Sequence, residues 1–386
     1  MASFGLTAAL DAANLTGSRY LSPFRSDEGW SNDAAAALAR GDISAARVFS
    51  ARAISASPLR QPNVRLAADI EMAAEDRKLA DRYLNAASKL GWRDTPTQAK
   101  LMISDAKAGD FGSVILRLDA LQRRSGVSNE TQQFAVVLLS EGEVREPFLK
   151  LLETNPPWRP DMFGTTEYLD GVGAARFADA LVQLHNRGVQ LDDEEVFPVL
   201  QRLVDIGASD ALTLVAPELL GPGSGKELYD PQFDRLEASL GRHDQILSPF
   251  AWRLGSKTRA TVNILRDVQG VGNVLSLSSR SRVSQEILSQ TMLLEPGAYE
   301  LEYQIRGKRS TPESDFTWQV SCNQQALPST ISKGAVKGRW QSETLFFVIP
   351  TEGCLSQKIS LGSNRNLSGA VIERDFAGLK LQTSRR

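Results

Sequence analysis

The chain has 386 residues, of which 42% are apolar and 23% are charged, and two domains are more common than one at this length. Its 44 basic and 46 acidic residues give a net charge of -2, which argues against a nucleic-acid partner. The two histidines and two cysteines form no cluster at metal-ligand spacing. We therefore expect no metal ion and no cofactor.

The first 30 residues are predicted to be an N-terminal extension. They contain no apolar run of 18 or more residues and no signal-peptide pattern. Met1-Ala2-Ser3 is followed by a short apolar segment over residues 6–15, which is compatible with a membrane anchor that precedes residue 1. Membrane attachment is expected only through such an anchor.

A period of 34 residues organises the next part of the chain. Gly41-Asp42 is followed by Ala46 and Ala53, at the spacings where a tetratricopeptide unit places its inter-helix turn and two small packing residues. Steps of 34 residues give Glu75-Asp76 with Ala80 and Ala87, and then Gly109-Asp110 with Val114 and Leu121. Gly41, Glu75 and Gly109 are therefore predicted to be equivalent turns of three helical hairpins.

The 34-residue register is predicted to end near residue 126, because a fourth unit would place its turn at Glu143-Val144. Helical periodicity nevertheless continues. Gly188 and Gly207 each follow an apolar helical pattern as C-terminal caps, and Asp192-Asp193 provides an N-cap between them. A last helix is predicted over residues 209–220. We assign residues 31–220 to a helical repeat domain, an array that stacks into a binding surface for another protein.

A glycine-rich segment, residues 221–225, marks the next boundary, because glycine and proline at this density break both helices and strands. Gly225-Lys226 invites comparison with a phosphate-binding loop. Leu220 stands where the first glycine of that loop belongs, and Glu227 replaces the Ser or Thr that binds magnesium. Residues 221–245 are predicted to be a linker.

Beyond about residue 260 the apolar period changes from 3.6 to 2. Tyr299, Leu301 and Tyr303 alternate with polar residues, the pattern of a strand with one buried face. Further strands are predicted over residues 261–265, 274–278, 286–294, 316–322, 344–349, 357–361, 370–373 and 376–381. Eight or nine short strands indicate an antiparallel, jelly-roll-like β-sandwich over residues 246–386. The predicted fold class is thus an α-helical array followed by a β-sandwich.

Both cysteines lie in the predicted sandwich. Cys322 shares a strand face with Trp318 and Val320, and Cys354 follows a turn at residues 350–353. A disulfide bond would close a loop of about 33 residues and stabilise the domain by about 3–4 kcal/mol. Two buried free thiols in a cytoplasmic protein are the alternative.

The candidates for catalysis are weak. His185 precedes Gly188, where an exposed imidazole favours a helix C-terminus, and His243-Asp244 lacks a nucleophile motif. Glu300 and Glu302 lie about 7 Å apart on one strand face, a pattern that solvent-facing charges explain more simply. We expect no enzymatic activity.

Aromatic side chains of the sandwich offer a different function, because sugar-binding sandwiches present rings to pyranoses. Most of these rings belong to the predicted core. Trp340 follows Lys337-Gly338-Arg339 and is the ring most expected to be exposed. We interpret it as a candidate platform for a glycan.

Several segments resemble the tetratricopeptide-repeat proteins of sphingomonad-type Alphaproteobacteria that carry a C-terminal β-sandwich. The resemblance spans residues 33–382 and is carried by Trp92-Arg93-Asp94, Asn155-Pro156-Pro157-Trp158, residues 248–254, Leu294-Glu295-Pro296-Gly297 with Tyr299, and Trp318 with Val320 and Cys322. It implies a cell-envelope protein connected with exopolysaccharide production or export, and it supplies no catalytic residues. The sequence therefore predicts a scaffold or adaptor, with a carbohydrate-binding module and a polysaccharide-cleaving enzyme as alternatives and a cytoplasmic location as the alternative to the envelope.

Overall fold

The computed structural model describes residues 26–91, 94–140, 142–236, 240, 247–307, 316–337, 339–364 and 371–384. The chain forms two compact units. The first comprises residues up to 131 together with 146–151 and 156–158, and the second comprises the remaining residues. Helices precede strands throughout, so the predicted fold class is confirmed. No helix among the described residues is long and apolar enough to cross a membrane.

The described residues contain twelve helices. They are α1 Asp27–Ala39, α2 Ile43–Ala56, α3 Gln61–Ala73, α4 Arg77–Lys89, α5 Thr95–Lys107, α6 Phe111–Ser125, α7 Asn129–Ser140, α8 Gly142–Glu153, α9 Arg159–Gly164, α10 Gly171–Asn186, α11 Asp193–Asp205 and α12 Ser209–Leu220. The first six pair as three hairpins, α1 with α2, α3 with α4 and α5 with α6.

The turns of these three hairpins share one backbone geometry. Gly41, Glu75 and Gly109 all adopt the left-handed conformation, with φ of 76°, 62° and 74°. In each turn the N–H of the next residue, an aspartate, donates to the carbonyl five residues earlier, at 2.9–3.0 Å. This is the hydrogen bond of the Schellman motif, which ends a helix at a left-handed residue.

The same aspartates begin the second helix of every hairpin. Asp42, Asp76 and Asp110 accept a hydrogen bond from the backbone N–H three residues later, at 3.0, 3.0 and 3.1 Å. One turn further on, Ala46, Ala80 and Val114 have no exposed surface. Small side chains let the paired helices approach closely, so the sequence period corresponds to one repeated packing unit.

The 34-residue register extends one helix beyond residue 126, where the sequence predicts its end. Helix α7 starts at Asn129, 34 residues after Thr95, but α8 starts at Gly142 whereas a 34-residue step from Phe111 gives position 145 (111 + 34). Val144 therefore lies inside α8 and is completely buried. Two later helices also end at a left-handed glycine, with φ of 81° at Gly188 and 71° at Gly207. These turns no longer follow the 34-residue period.

A buried ion pair holds the later helices together. The guanidinium of Arg159 donates to both carboxylate oxygens of Glu195, at 2.6 and 3.0 Å, and to the carbonyl of Leu152 at 3.0 Å. Glu195 also accepts the backbone N–H of Asp192, which completes a capping box at the start of α11. The pair is 2% and 0% exposed, and its additional hydrogen bonds offset the cost of desolvating two charges.

Eleven strands follow within the described residues. They are β1 Arg253–Leu254, β2 Thr261–Val268, β3 Gly272–Ser279, β4 Gln285–Met292, β5 Gly297–Gly307, β6 Phe316–Cys322, β7 Gln325–Ala326, β8 Ser329–Lys337, β9 Trp340–Ile349, β10 Gln357–Ser363 and β11 Ile372–Thr383. One sheet has the order β1-β4-β10-β6-β7 and the other β2-β3-β11-β5-β9-β8. The paired strands are antiparallel.

The core of the sandwich is built around aromatic rings. Trp318 lies 5.8 Å from Trp252, 6.1 Å from Tyr303 and 6.1 Å from Phe376, measured between ring centroids. Tyr299 and Tyr303 are also buried, as their alternation along the strand predicts. The Tyr303 hydroxyl donates to Glu343 at 2.8 Å, and burial together with this carboxylate raises the pKa of Tyr303.

Candidate functional site

A groove of about 500 Å³ lies in the second unit, between the turn that joins α11 to α12 and the five-stranded sheet. Its volume falls within the range of about 300–1,000 Å³ typical of small-molecule sites. Ser289, Lys358 and Ser321 line it, and they alternate along their strands with core residues such as Leu288 and Ile359. The outward face of the sheet therefore forms one wall of the groove.

The strand register arranges this wall in two polar rows. Lys358 of β10 pairs with Thr291 of β4 on one side and with Ser321 of β6 on the other. In the next row, Ser289 pairs with Arg253 of β1 and with Ser360 of β10. Side chains opposite each other on antiparallel strands lie about 4.5–5.5 Å apart. The rows thus place hydroxyl groups beside two cations.

Arg253 is the less exposed of the two cations of the groove. Burial lowers the pKa of its guanidinium, and the charge of Asp205 opposes that effect only in part. Its Nη2 donates to the carbonyls of Leu247 and Ser248 at 3.4 Å each, which are long hydrogen bonds. Its buried Nε has no hydrogen-bond partner among the described residues. The groove therefore holds a cation whose hydrogen-bonding capacity is incompletely used.

The other charges of the groove are better satisfied. Lys358 is 47% exposed and forms an ion pair with Glu286, with Nζ and Oε2 2.8 Å apart. Asp205 accepts a hydrogen bond from Gln201 at 2.7 Å. The groove consequently offers both cationic donors and a carboxylate acceptor.

A disulfide-bonded loop bounds the groove. Cys322 and Cys354 are joined with their Cα atoms 5.6 Å apart, and each is 6% exposed. Asn323, the next residue, donates from Nδ2 to the carbonyl of Gly353 at 2.8 Å. At the other end of this loop the hydroxyl of Ser356 lies 2.6 Å from that of Ser209 at the start of α12. The disulfide therefore fixes the loop against the end of β6, and the hydrogen bond between Ser356 and Ser209 joins the loop to the helix side of the groove.

Trp340 lies elsewhere on the sandwich and does not line the groove. It is the first residue of β9 and is partly exposed. The guanidinium of Arg306 lies 4.5 Å from the centroid of its ring and also donates to Asp375 at 2.6 and 3.0 Å. One face of the ring is thus covered by a cation, which leaves less aromatic surface for a sugar than the sequence suggests.

The predicted carboxylate pair is held by an amide. Gln382 of β11 donates to Glu300 at 2.7 Å and to Glu302 at 3.1 Å. His185 lies in the last turn of α10, as the sequence predicts, and His243-Asp244 is outside the described residues. The described residues contain no group of three or more His, Cys, Asp or Glu side chains that could hold a metal ion.

The hairpins carry a second candidate surface, which we call the ion-pair ladder. It consists of Asp27, Arg60, Arg65, Asp69, Asp94 and Lys100. Arg60 lies 2.6 Å from Asp27, and Arg65 lies 3.0 Å from Asp94. The ladder connects α1 to α3 and α3 to α5, the first helices of successive hairpins. Its charges are partly exposed on all three helices.

The sequence did not single out the groove or its two cations. Arg253 belongs to the family-like motif over residues 248–254, and Lys358 belongs to the predicted strand over residues 357–361. A signal existed in the alternation of polar Lys358 and Ser360 with apolar Ile359 and Leu361. It could not show which helices cover the polar face.

No protein-family model matches the chain, and a search of curated proteins finds no relative. Solved structures show distant similarity. PilF of Pseudomonas aeruginosa is 16% identical, covering 51% of this chain and 93% of that one, with a TM-score of 0.28. A CBM4 structure is 13% identical over 41% of this chain and 99% of its own, with a TM-score of 0.28. The enzymatically active domain of bacteriophage CBA120 tailspike protein 4 is 12% identical over 42% of this chain, with a TM-score of 0.27. The chain spans 22% of that tailspike structure.

Proposed function

We propose that the chain is a non-catalytic adaptor of the bacterial cell envelope, whose helical hairpins bind a protein partner. The observation that carries this proposal is the threefold repetition of one hairpin, with equivalent turns at Gly41, Glu75 and Gly109. Hairpins stacked in this way contact mainly their neighbours and present an extended surface to a partner.

The ion-pair ladder is the part of this surface best suited to recognition. Partly exposed ion pairs contribute only about 0–1 kcal/mol each to folding. Lys100, which is 39% exposed, can therefore exchange Asp69 for a carboxylate of a bound protein at small cost, and Arg65, which is 25% exposed, can do so less readily. A ladder that alternates both signs of charge also selects the orientation of its partner.

The disulfide supports the envelope setting, because disulfides persist in oxidising compartments and are rare in the cytosol. We place the adaptor in the periplasm, in the assembly or export of an exopolysaccharide, which is what the family resemblance implies. Alkylation of free thiols in intact cells tests the location. Unmodified Cys322 and Cys354 support the periplasm, whereas labelling of both supports the cytoplasmic alternative.

The adaptor role is tested by charge removal in a deletion strain that makes less exopolysaccharide. The double variant Arg65→Gln, Lys100→Gln removes both positive charges without adding carboxylates beside Asp69 and Asp94; it should fold, lose its cross-linked partner from envelope extract and fail to restore exopolysaccharide output. The matched control Lys78→Gln, Arg82→Gln removes two exposed charges of α4 outside the ladder and should behave as the unmodified protein does. Equal output and equal partner recovery for both variants would contradict the proposal.

The absence of catalysis has its own test. Glu302→Ala, His185→Ala and His243→Ala should all restore the phenotype fully, since the proposed function depends on surface and fold. A stably folded His243→Ala protein that binds its partner and yet loses the phenotype would favour an enzyme, such as one that cleaves polysaccharide.

A carbohydrate-binding module is the second candidate function. It is favoured by the groove on the five-stranded sheet, where Ser289, Thr291 and Ser321 present hydroxyl groups. Trp340 remains a candidate platform for a glycan on the other sheet. Binding that is lost in Trp340→Ala would place the glycan at that ring, and binding that survives would place it away from the ring.

A further inference from the structure

The groove places two cations beside two carboxylates: Lys358 pairs with Glu286, and the charge of Asp205 acts on Arg253. Arg253 is desolvated, yet among the described residues no carboxylate forms an ion pair with it and its Nε is unpaired. Burying an ionised group without a partner is costly. The Nε atom is inaccessible, but Arg253 lines the groove, so a bound anion would give the rest of its guanidinium the charged partner that it lacks.

Two further features of the groove favour an anion. Lys358 lies one row away from Arg253 on the same wall and is 47% exposed. Helix α12 also begins at the groove with Gly207 and Ser209 among its lining residues. Its N-cap residue, Ala208, provides no side-chain acceptor, so backbone N–H groups at this end are open to solvent or a ligand, while Asp210 in the first turn offsets part of the helix dipole.

The remaining side chains of the groove suit a polyol. Ser289, Thr291 and Ser321 can donate and accept hydrogen bonds, and Gln324 adds an amide. Asp205 is an acceptor for hydroxyl groups. We infer that the groove binds an acidic saccharide, with a uronic-acid carboxylate at Arg253 and Lys358 and the sugar hydroxyls on the neutral side chains and Asp205.

An acidic peptide suits the groove less well. Extended peptides gain much of their affinity by pairing with the free edge of a sheet. Here the wall is the face of β4, β10 and β6, and β10 pairs with both of its neighbours along its length. The groove therefore offers side-chain groups, and few unpaired backbone groups, to a ligand.

This inference rests on the proposed carbohydrate-binding role of the sandwich and is independent of the ion-pair ladder. Titration calorimetry of the full chain tests it with three probes: tetragalacturonic acid, uncharged galactotetraose and tetraglutamate. The acidic saccharide should bind at least about tenfold more tightly than either other probe, since a charged hydrogen bond contributes about 1.5–3 kcal/mol.

Variants locate the binding site. Lys358→Gln should weaken binding of tetragalacturonic acid about tenfold, and Arg253→Gln should do so at least as strongly. The control Lys380→Gln removes an exposed positive charge from the other sheet and should leave affinity unchanged. Lys358 is exposed, so its variant keeps the test valid if the Arg253 variant is unstable.

The possible failures are distinguishable. Equal binding of the charged and uncharged saccharides would overturn the acidic specificity and leave the carbohydrate-binding role intact. Tighter binding of tetraglutamate would overturn the saccharide assignment. Binding of no saccharide at all would overturn both the inference and the carbohydrate-binding role.

Discussion

The helical hairpins and the β-sandwich bury their cores by different means. The first two hairpins bury mostly alanine, such as Ala46, Ala53, Ala80 and Ala87, which are 0% exposed, whereas the third buries larger residues such as Leu118. The sandwich buries one continuous cluster that includes Trp252, Trp318 and several other aromatic side chains. The first two hairpins therefore depend on close backbone approach. The sandwich depends on a few large side chains contacted from both sheets.

The largest effect expected from this difference is at Trp318. Trp318→Ala should lower the free energy of unfolding of the sandwich by about 3–5 kcal/mol, because a large core side chain is removed and a cavity remains. Urea denaturation followed by circular dichroism measures it. Trp318→Phe is the control and should cost less, because the buried indole N–H has no partner among the described residues. Equal losses for both variants would contradict this account of the core.

The second largest effect on the stability of the sandwich is expected at the disulfide bond. Cys322→Ser with Cys354→Ser should destabilise the sandwich by about 3–4 kcal/mol, because the unfolded chain is no longer cross-linked. The control Ser356→Ala removes a hydroxyl from the same loop and should cost much less. Dithiothreitol should lower the melting temperature of the unmodified protein and leave that of the double variant unchanged.

Overpacking tests the small-residue core of the hairpins. Ala80→Trp should destabilise the array by about 1–3 kcal/mol or more, because its side chain forces neighbouring helices apart. Hydrogen exchange should show lost protection in α3 and α4 while the sandwich strands stay protected. Arg82→Trp places the same ring on an exposed position and should change little. Uniform loss of protection would show that the hairpins and the sandwich do not unfold independently.

The turns of the hairpins predict two substitutions of opposite sign. Glu75→Gly should raise the free energy of unfolding by up to about 1 kcal/mol, since a non-glycine residue is strained in the left-handed conformation. Gly109→Ala should lower it by a similar amount. A Cβ at Gly109 would meet no atom within 4 Å, so backbone strain is the cause. Thermal denaturation measures both, and changes of the same sign would contradict the equivalence of the turns.

The smallest effect concerns pH. Burial raises the pKa of Asp27, but its hydrogen bonds from Arg60 and Asn63 outweigh that effect and lower it below 3.8. A carboxyl with a lowered folded-state pKa stabilises the fold above its ordinary pKa, and this contribution is lost as the pH falls through the lower value. Asp27→Asn should therefore show a shallower loss of stability in acid than the unmodified protein. If the free energy of unfolding falls equally in acid for both proteins, Asp27 does not contribute to the acid sensitivity of the fold.

Much of the architecture was predictable because local chemistry determines it. A glycine followed by aspartate ends one helix and caps the next whatever surrounds it, and alternation along residues 299–305 places Tyr303 in a core. The loss of the 34-residue period was predictable as well, because the turn pattern is absent at Glu143-Val144. The buried ion pair of Arg159 and Glu195 was not predicted, because 36 residues separate the partners. Nothing in the sequence around either residue indicates that its charge is buried.

The sequence by itself determined the order of helices and strands, the repeated turns and the inward-facing aromatic residues. These features depend on backbone preference and on periods of 3.6 and 2, which act over a few residues. Only the tertiary structure decided that Arg253 and Lys358 share a wall, because strands β1, β4 and β10 become neighbours through pairings between distant segments. It also decided that Arg306 covers one face of Trp340. Exposure and charge pairing are properties of surfaces that form when remote parts of the chain meet.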